Sequence, residues 1–315
     1  MPDLSFKIGN VEVADLPEHI GVVEDIRKLK DFIAGWVETT DAEVRKAVSW
    51  QMSSRSKFFR PLTIFACHHA VSDKPVSKGL LHATAALEIF HNVSLIVDDI
   101  LDRSRERRGK ATLHCRFGFL NALMVSGYLT AGGFKLVRGD SYAIDLLGEL
   151  MQRLGVAECL QWRLRRQPLG VEDWRMIAGE DTGSMFEICA RLGTCDNQLS
   201  EFGKLLGLLY HGCDDVGDVR GAVALGGGGE EDVRDGILTL PAAFAIRDPQ
   251  VALLFRSSEK SRYTVLTKKM YEVLPEAENY LDQIAKDAET EALRHAKKPQ
   301  GLLALVKRTR ALSKS

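Results

Sequence analysis

The chain has 315 residues, 45% of them hydrophobic and 27% charged, and a formal net charge of -1. That balance fits an ordinary globular protein and offers nucleic acid no electrostatic footing, so no nucleic-acid partner is expected. Residues 1–10 lack the basic and apolar regions of a signal peptide, and no apolar run reads as long enough to span a bilayer. A cytoplasmic protein without an integral membrane segment is therefore expected.

Along the chain, strand-like alternation is confined to a short pair near residues 6–13. Apolar residues then recur at three- and four-residue spacings over residues 83–97, 120–136, 144–164, 176–192, 201–213 and 277–294, each read as a helix. Turn signals separate these segments at Ser72-Asp73-Lys74-Pro75, Arg138-Gly139-Asp140, Gln167-Pro168-Leu169-Gly170 and Asp248-Pro249. The run Gly226-Gly227-Gly228-Gly229 reads as a surface loop, or as a loop able to close over a ligand. The basic stretch from Lys297 to Lys314 reads as a terminal helix packed on the rest, in preference to one lying on an anionic membrane. No repeat or linker divides the chain, so residues 1–315 are expected to form one all-α domain, a helical bundle around a deep central cavity. Six cysteines without metal-like spacing read as small buried apolar residues.

The chemistry concentrates in two runs of the form D-D-x-x-D, Asp98-Asp99-Ile100-Leu101-Asp102 and Asp214-Asp215-Val216-Gly217-Asp218. Each closes an apolar segment, the first after Leu87 to Val97 and the second after Phe202 to Tyr210. On a helix, Asp98 and Asp102 share a face, as do Asp214 and Asp218. Carboxylates crowded at an apolar wall are costly unless a cation serves them. Magnesium fits best, because it takes one or two carboxylates and completes its shell with water and phosphate oxygens. A lone cluster of this kind is more often a solvated helix end; two of them, both against apolar walls, read as a cage for a diphosphate.

These runs, with their surroundings, resemble the trans-isoprenyl diphosphate synthase (polyprenyl synthetase) family. Glu88-Ile89-Phe90-His91 through Asp102 resembles its first aspartate-rich region, and Arg107-Arg108-Gly109-Lys110 the segment after it. Lys57-Phe58-Phe59-Arg60-Pro61 resembles a G-K-x-x-R-P segment with Ser56 for the glycine, and Glu158-Cys159-Leu160-Gln161 a G-E-x-x-Q segment without its glycine. Asp214 to Asp218 resembles the second aspartate-rich motif, and Asp232-Val233-Arg234-Asp235-Gly236 the segment that follows. The matches keep the family's order over roughly residues 50 to 245.

The resemblance implies an all-α homodimer that joins isopentenyl diphosphate to an allylic diphosphate. It implies three magnesium ions held by Asp98, Asp102 and Asp214, with Asp99, Asp215 and Asp218 in support. Lys57, Arg60, His91 and Arg108 would bind isopentenyl diphosphate, Arg107 would reach the allylic diphosphate, and Gln161 and His211 would also bind substrate. Without the family, Arg107-Arg108 reads as a solvated pair and His91 as a satisfied core histidine. Val93 stands where a bulky residue commonly caps the product; beside Ser94 it leaves room, and Phe90 one turn deeper is the expected floor, for a product of about twenty carbons or longer.

The allylic side departs from the family. Asp181, Gly227 and Ile237 stand where lysines are usual, and His211 stands for a glutamine. Magnesium and Arg107, with Arg220 or Arg234, are expected to compensate. Two alternatives compete with chain elongation: a cyclase-like enzyme that ionises a diphosphate, and a regulatory subunit of a heteromeric prenyltransferase.

Overall fold

The computed structural model describes residues 7–8, 11–12, 16–53, 58–221 and 229–314. Strands β1 (Lys7–Ile8) and β2 (Val11–Glu12) pair antiparallel, as the alternation near the N-terminus predicts. Helices α1 (Leu16–Ile20), α2 (Val23–Glu38), α3 (Ala42–Met52), α4 (Phe59–Val71) and α5 (Lys78–Leu101) follow. A two-stranded hairpin, β3 (Glu106–Arg107) and β4 (Lys110–Ala111), interrupts them before α6 (Leu113–Phe117), α7 (Phe119–Leu136), α8 (Ser141–Arg163) and α9 (Val171–Ala178). A π-helical turn, Gly179–Gly183, leads into α10 (Ser184–Thr194) and α11 (Ser200–Arg220). The chain closes with α12 (Gly229–Asp235), α13 (Leu240–Ala245), α14 (Pro249–Arg256), α15 (Tyr263–Glu272), α16 (Leu274–His295) and α17 (Gln300–Ala311).

The turn signals become caps. Asp140 accepts from the Ala143 N–H, and Asp248 accepts from the Gln250 N–H with Pro249 in the first turn. Ser77 caps α5 by accepting from the Leu80 N–H.

Helices α5 and α11 are the buried axes of the bundle. Leu80, Leu87, Ile89, Phe90 and Ile96 of α5 and Phe202, Leu206, Leu209 and Val216 of α11 are all nearly inaccessible. Helix α10 packs against both, α7 covers α5, and α16 covers α11. Leu302, Leu305 and Val306 of α17 are buried against the bundle, as expected for a packed terminal helix.

Two expectations need correction. Helix α5 is long and apolar enough to cross a bilayer by length and composition, but 72% of its most apolar stretch is buried inside the protein, which is the environment of a core helix. Among the cysteines, all free, only Cys67, Cys189 and Cys213 are buried; Cys115, Cys159 and Cys195 are exposed, on helix faces and a helix end that no neighbour covers.

Candidate active site

Helix α5 delivers the first acidic run to its own C-terminal end, where Asp102 is the cap residue and its N–H bonds the Asp98 carbonyl. A helix C-terminus carries partial negative charge, so carboxylates there are doubly disfavoured. Burial pushes the Asp98 carboxyl well above its ordinary range, and Glu158, Asp181 and Asp102 push it further. Glu158, near the end of α8, is itself raised to about 7 by burial, then by Asp181 and Asp102.

Helix α11 carries the second run, and α12 adds Asp232. The Asp232 carboxyl is driven well up by burial, then by Asp215, Asp218, Asp214 and Asp102. Asp102 thus acts on Glu158 at one wall and on Asp232 at the other. The two acidic runs, more than a hundred residues apart in sequence, face one another.

The middle aspartates are engaged by the protein. Asp99 is buried and accepts from Arg107 Nε at 2.7 Å. Asp215 is buried and one of its oxygens accepts from Trp174 Nε1 at 2.8 Å and from the Leu240 N–H at 2.7 Å. Burial still raises both carboxyls against these partners. They brace the walls, while Asp98, Asp102, Asp214 and Asp218 keep the shared helical faces. Among the described residues no three acidic, cysteine or histidine side chains converge closely enough to hold a metal alone. A magnesium ion would fit by taking one or two of Asp98, Asp102 and Asp214, with water and diphosphate completing its shell.

A separate cationic pocket lies beside the first wall. Arg60 Nη1 is 3.0 Å from His91 Nε2, so the imidazole accepts from the guanidinium and is neutral. Burial holds His91 well below its ordinary value, with Arg60, Arg108 and Arg107 adding to the effect. Among the described residues, Arg60 Nε and His91 Nδ1 are buried without hydrogen-bond partners. Arg107 and Arg108 are presented by the β3–β4 hairpin, whose turn residues Arg108 and Gly109 have φ of 56° and 73°. That pair of left-handed residues is the signature of a two-residue hairpin turn. Lys57, the remaining residue assigned to this pocket, lies outside the described residues.

On the allylic side, Asp181 sits on the π-helical turn and His211 on α11. His211 Nδ1 is 3.4 Å from Asp181 and 2.9 Å from Thr182 Oγ1, and its Nε2 is 3.8 Å from Asp215. Burial opposes protonation of His211, yet Asp215 and Asp181 outweigh it and raise the imidazole to about 9. His211 therefore carries a positive charge between the two carboxylates. Burial would raise Asp181, but the His211 contact wins and lowers it. Gln161, His211 and Ile237 line one small cavity, so the first two do meet on this side. Gly227 lies outside the described residues.

The residues expected to set chain length are closely packed. Phe90 is fully buried, edge-to-face with Phe134 of α7 at 5.0 Å, and it fills the space over Gly133. Val93 is buried and Ser94 half-buried, its hydroxyl bonded to the His91 carbonyl.

One compensating cation expected from sequence is elsewhere. Arg220 pairs with Glu278 of α16 at 2.7 Å and bonds the Ser313 carbonyl, so it ties α11 to the C-terminus. Arg234 is largely exposed and pairs with Asp235 at 2.8 Å. The residues that sequence reasoning passed over are Glu158, Asp232 and Arg165. The signal for the first two was their place in the matched segments; Arg165 carried none.

The polyprenyl synthetase family profile matches residues 41–274, three quarters of the chain. The chain belongs to the polyprenyl synthetase family. It is similar to nonaprenyl diphosphate synthase of Mycobacterium tuberculosis, 23% identical over 76% of this chain and 75% of that protein. It is also similar to octaprenyl diphosphate synthase of Escherichia coli, 26% identical over 66% of this chain and 68% of that one. Its fold matches the crystal structure of a polyprenyl synthase from Caulobacter crescentus complexed with calcium and isoprenyl diphosphate, with a TM-score of 0.82 and 22% identity over 97% and 99% of the two chains. This polyprenyl synthetase fold is all-α, and the family is one of prenyltransferases that use a divalent metal with isopentenyl and allylic diphosphates.

Proposed function

We propose that the chain is a magnesium-dependent trans-prenyltransferase. It condenses isopentenyl diphosphate with geranyl or farnesyl diphosphate, giving a trans-polyprenyl diphosphate of about twenty carbons or longer, a length governed by the pocket below the first acidic run. The observation that carries this reading is the pairing of two sites: opposed acidic walls, felt through Asp102, and a distinct cluster of Arg60, His91, Arg107 and Arg108. A cyclase needs only the walls, and a regulatory subunit needs neither set of crowded acids.

Bound magnesium supplies electrostatic stabilisation of the leaving diphosphate. The chain's residues do the remainder. Asp98, Asp102 and Asp214 would hold the metal, and Arg107, oriented by Asp99, lies between the walls and the cationic pocket. Arg60 and Arg108 offer forked donors to the isopentenyl diphosphate. The apolar side chains of α5 keep water from the allylic cation.

The reading further takes the protein as a homodimer. Phe119, Leu120, Leu123 and Met124 are 58%, 69%, 40% and 60% exposed along one side of α7. So apolar a helix face suits a second copy of itself.

The test is incubation with magnesium, labelled isopentenyl diphosphate and geranyl, farnesyl or geranylgeranyl diphosphate in turn. Longer labelled diphosphates are expected. A hydrocarbon made from the allylic substrate alone would favour cyclisation, and activity that requires a second protein would favour the subunit.

A further inference from the structure

The three arginines expected from sequence to serve the allylic side are already committed by short contacts. Arg107 is held by Asp99 at 2.7 Å, Arg220 by Glu278 at 2.7 Å, and Arg234 by Asp235 at 2.8 Å. His211 is clasped between Asp181 and Asp215. Arg165 differs. It follows the C-terminal end of α8, its side chain is 17% exposed, and its guanidinium stacks on Trp162 at 3.7 Å from the ring centroid. Its Nη2 is 3.8 Å from Asp102 and its Nη1 is 3.5 Å from Asp235.

Both distances exceed the roughly 2.7–2.9 Å of a charge-assisted hydrogen bond. Among the described residues its buried Nε has no hydrogen-bond partner. The fork therefore spans the first acidic run and the segment after the second, attracted to both and saturated by neither. It also opposes part of the rise in the Glu158 carboxyl, which places its field inside the first wall.

We propose that Arg165 is the substrate-binding cation that receives the allylic diphosphate in place of the lysines absent at positions 181, 227 and 237. This deepens the prenyltransferase reading and rests on it. A guanidinium has five donors in a planar fork, suited to two phosphate oxygens at once. Trp162 fixes the plane of the fork, so few rotamers are lost on binding. With Asp102 engaged on a divalent ion, Arg165 keeps Asp235 and turns its free donors toward the anion between the walls.

The test uses the full chain and the variants Arg165→Gln, Arg165→Lys and Asp235→Asn. Calorimetry with magnesium and inorganic pyrophosphate reads binding directly, and steady-state kinetics read the two substrates separately. Loss of one charged contact is expected to weaken pyrophosphate binding and raise the allylic KM about tenfold or more in Arg165→Gln. The isopentenyl KM should stay within about twofold, because that diphosphate meets other cations. Arg165→Lys should recover part of the loss. Asp235→Asn removes the strap but keeps the cation, so it should leave pyrophosphate affinity unchanged or tighter.

Equal rises in both KM values, or an Asp235→Asn defect as large as that of Arg165→Gln, would overturn the proposal and make Arg165 a structural tie. Should Arg165→Gln fail to fold, a pyrophosphate defect confined to Arg165→Lys supports the proposal, and wild-type affinity in that variant together with a defect in Asp235→Asn overturns it. A wild-type chain that binds pyrophosphate through Arg165 yet makes no prenyl product would overturn the reaction and leave this assignment standing.

Discussion

Asp181 is a carboxylate held inside the protein on a π-helical turn, and its cost is met locally by His211. The imidazole is raised to about 9 from its ordinary 6.5, although burial opposes it, because Asp215 and Asp181 face it. A group whose folded value is raised contributes stability that is complete below its unfolded value and is lost as pH climbs through the folded one. His211 therefore supports the fold below 6.5 and ceases to do so above about 9. Glu158, raised from 4.5 to about 7 by burial and by Asp181, acts in the same direction, since the folded state favours its neutral form. The metal-free protein is thus expected to melt at progressively lower temperature between pH 6 and pH 9. Magnesium should flatten the lower part of that decline by occupying the ionised acids. Thermal melts in chelator and in magnesium across this range check it; a melting temperature that rises with pH in chelator would contradict the assignment.

The elements that carry these residues depart from regular geometry where the site needs it. The π-helical turn Gly179–Gly183 holds Asp181, and such turns recur at functional sites because the extra residue redirects side chains. It is supported from α11 by a close approach at Gly207, where an added Cβ would lie 2.6 Å from the Thr182 carbonyl oxygen. Backbone cannot yield there as a side chain would. Gly207→Ala is expected to cost about 1–3 kcal/mol through overpacking, read by denaturant unfolding, and to raise the allylic KM by displacing Asp181. The β3–β4 hairpin was not legible as a strand pair, because each strand is two residues long and leaves no alternation to detect. Its two left-handed turn residues, Arg108 and Gly109, are what aim Arg107 and Arg108 inward.

At the scale of the whole molecule, α5 is both core and site, so its residues answer to packing and chemistry together. Phe90 is wedged against Phe134 and Gly133 of α7 and would wall off the space below the acidic run. Phe90→Ala is expected to destabilise the fold by about 3–5 kcal/mol and to lengthen the product, as measured by melts and by chromatography of labelled products. An unchanged product distribution in a folded variant removes Phe90 from length control. The outer side of α7 is the face proposed to meet a second copy. On that reading, replacing both exposed residues Leu120 and Met124 with glutamate should turn a dimer into a monomer in light scattering, because charge on an apolar face that a partner covers is costly.

The sequence by itself marked α5, α7, α8, α10, α11, α16, α17 and the two acidic runs, since periodicity and motif spacing are local and need no distant partner. The remaining helices carried no such reading, and residues 176–192, read as one helix, are divided by the π-helical turn Gly179–Gly183. The sequence also marked Arg60, His91, Arg107 and Arg108, which the fold gathers into one pocket. Only the tertiary structure decided which charges meet. His211 finds Asp181 thirty residues earlier, Arg220 turns away to Glu278, and Arg165 reaches both Asp102 and Asp235. Electrostatic pairing depends on distance and burial across helices, and neither quantity is written in the order of the residues.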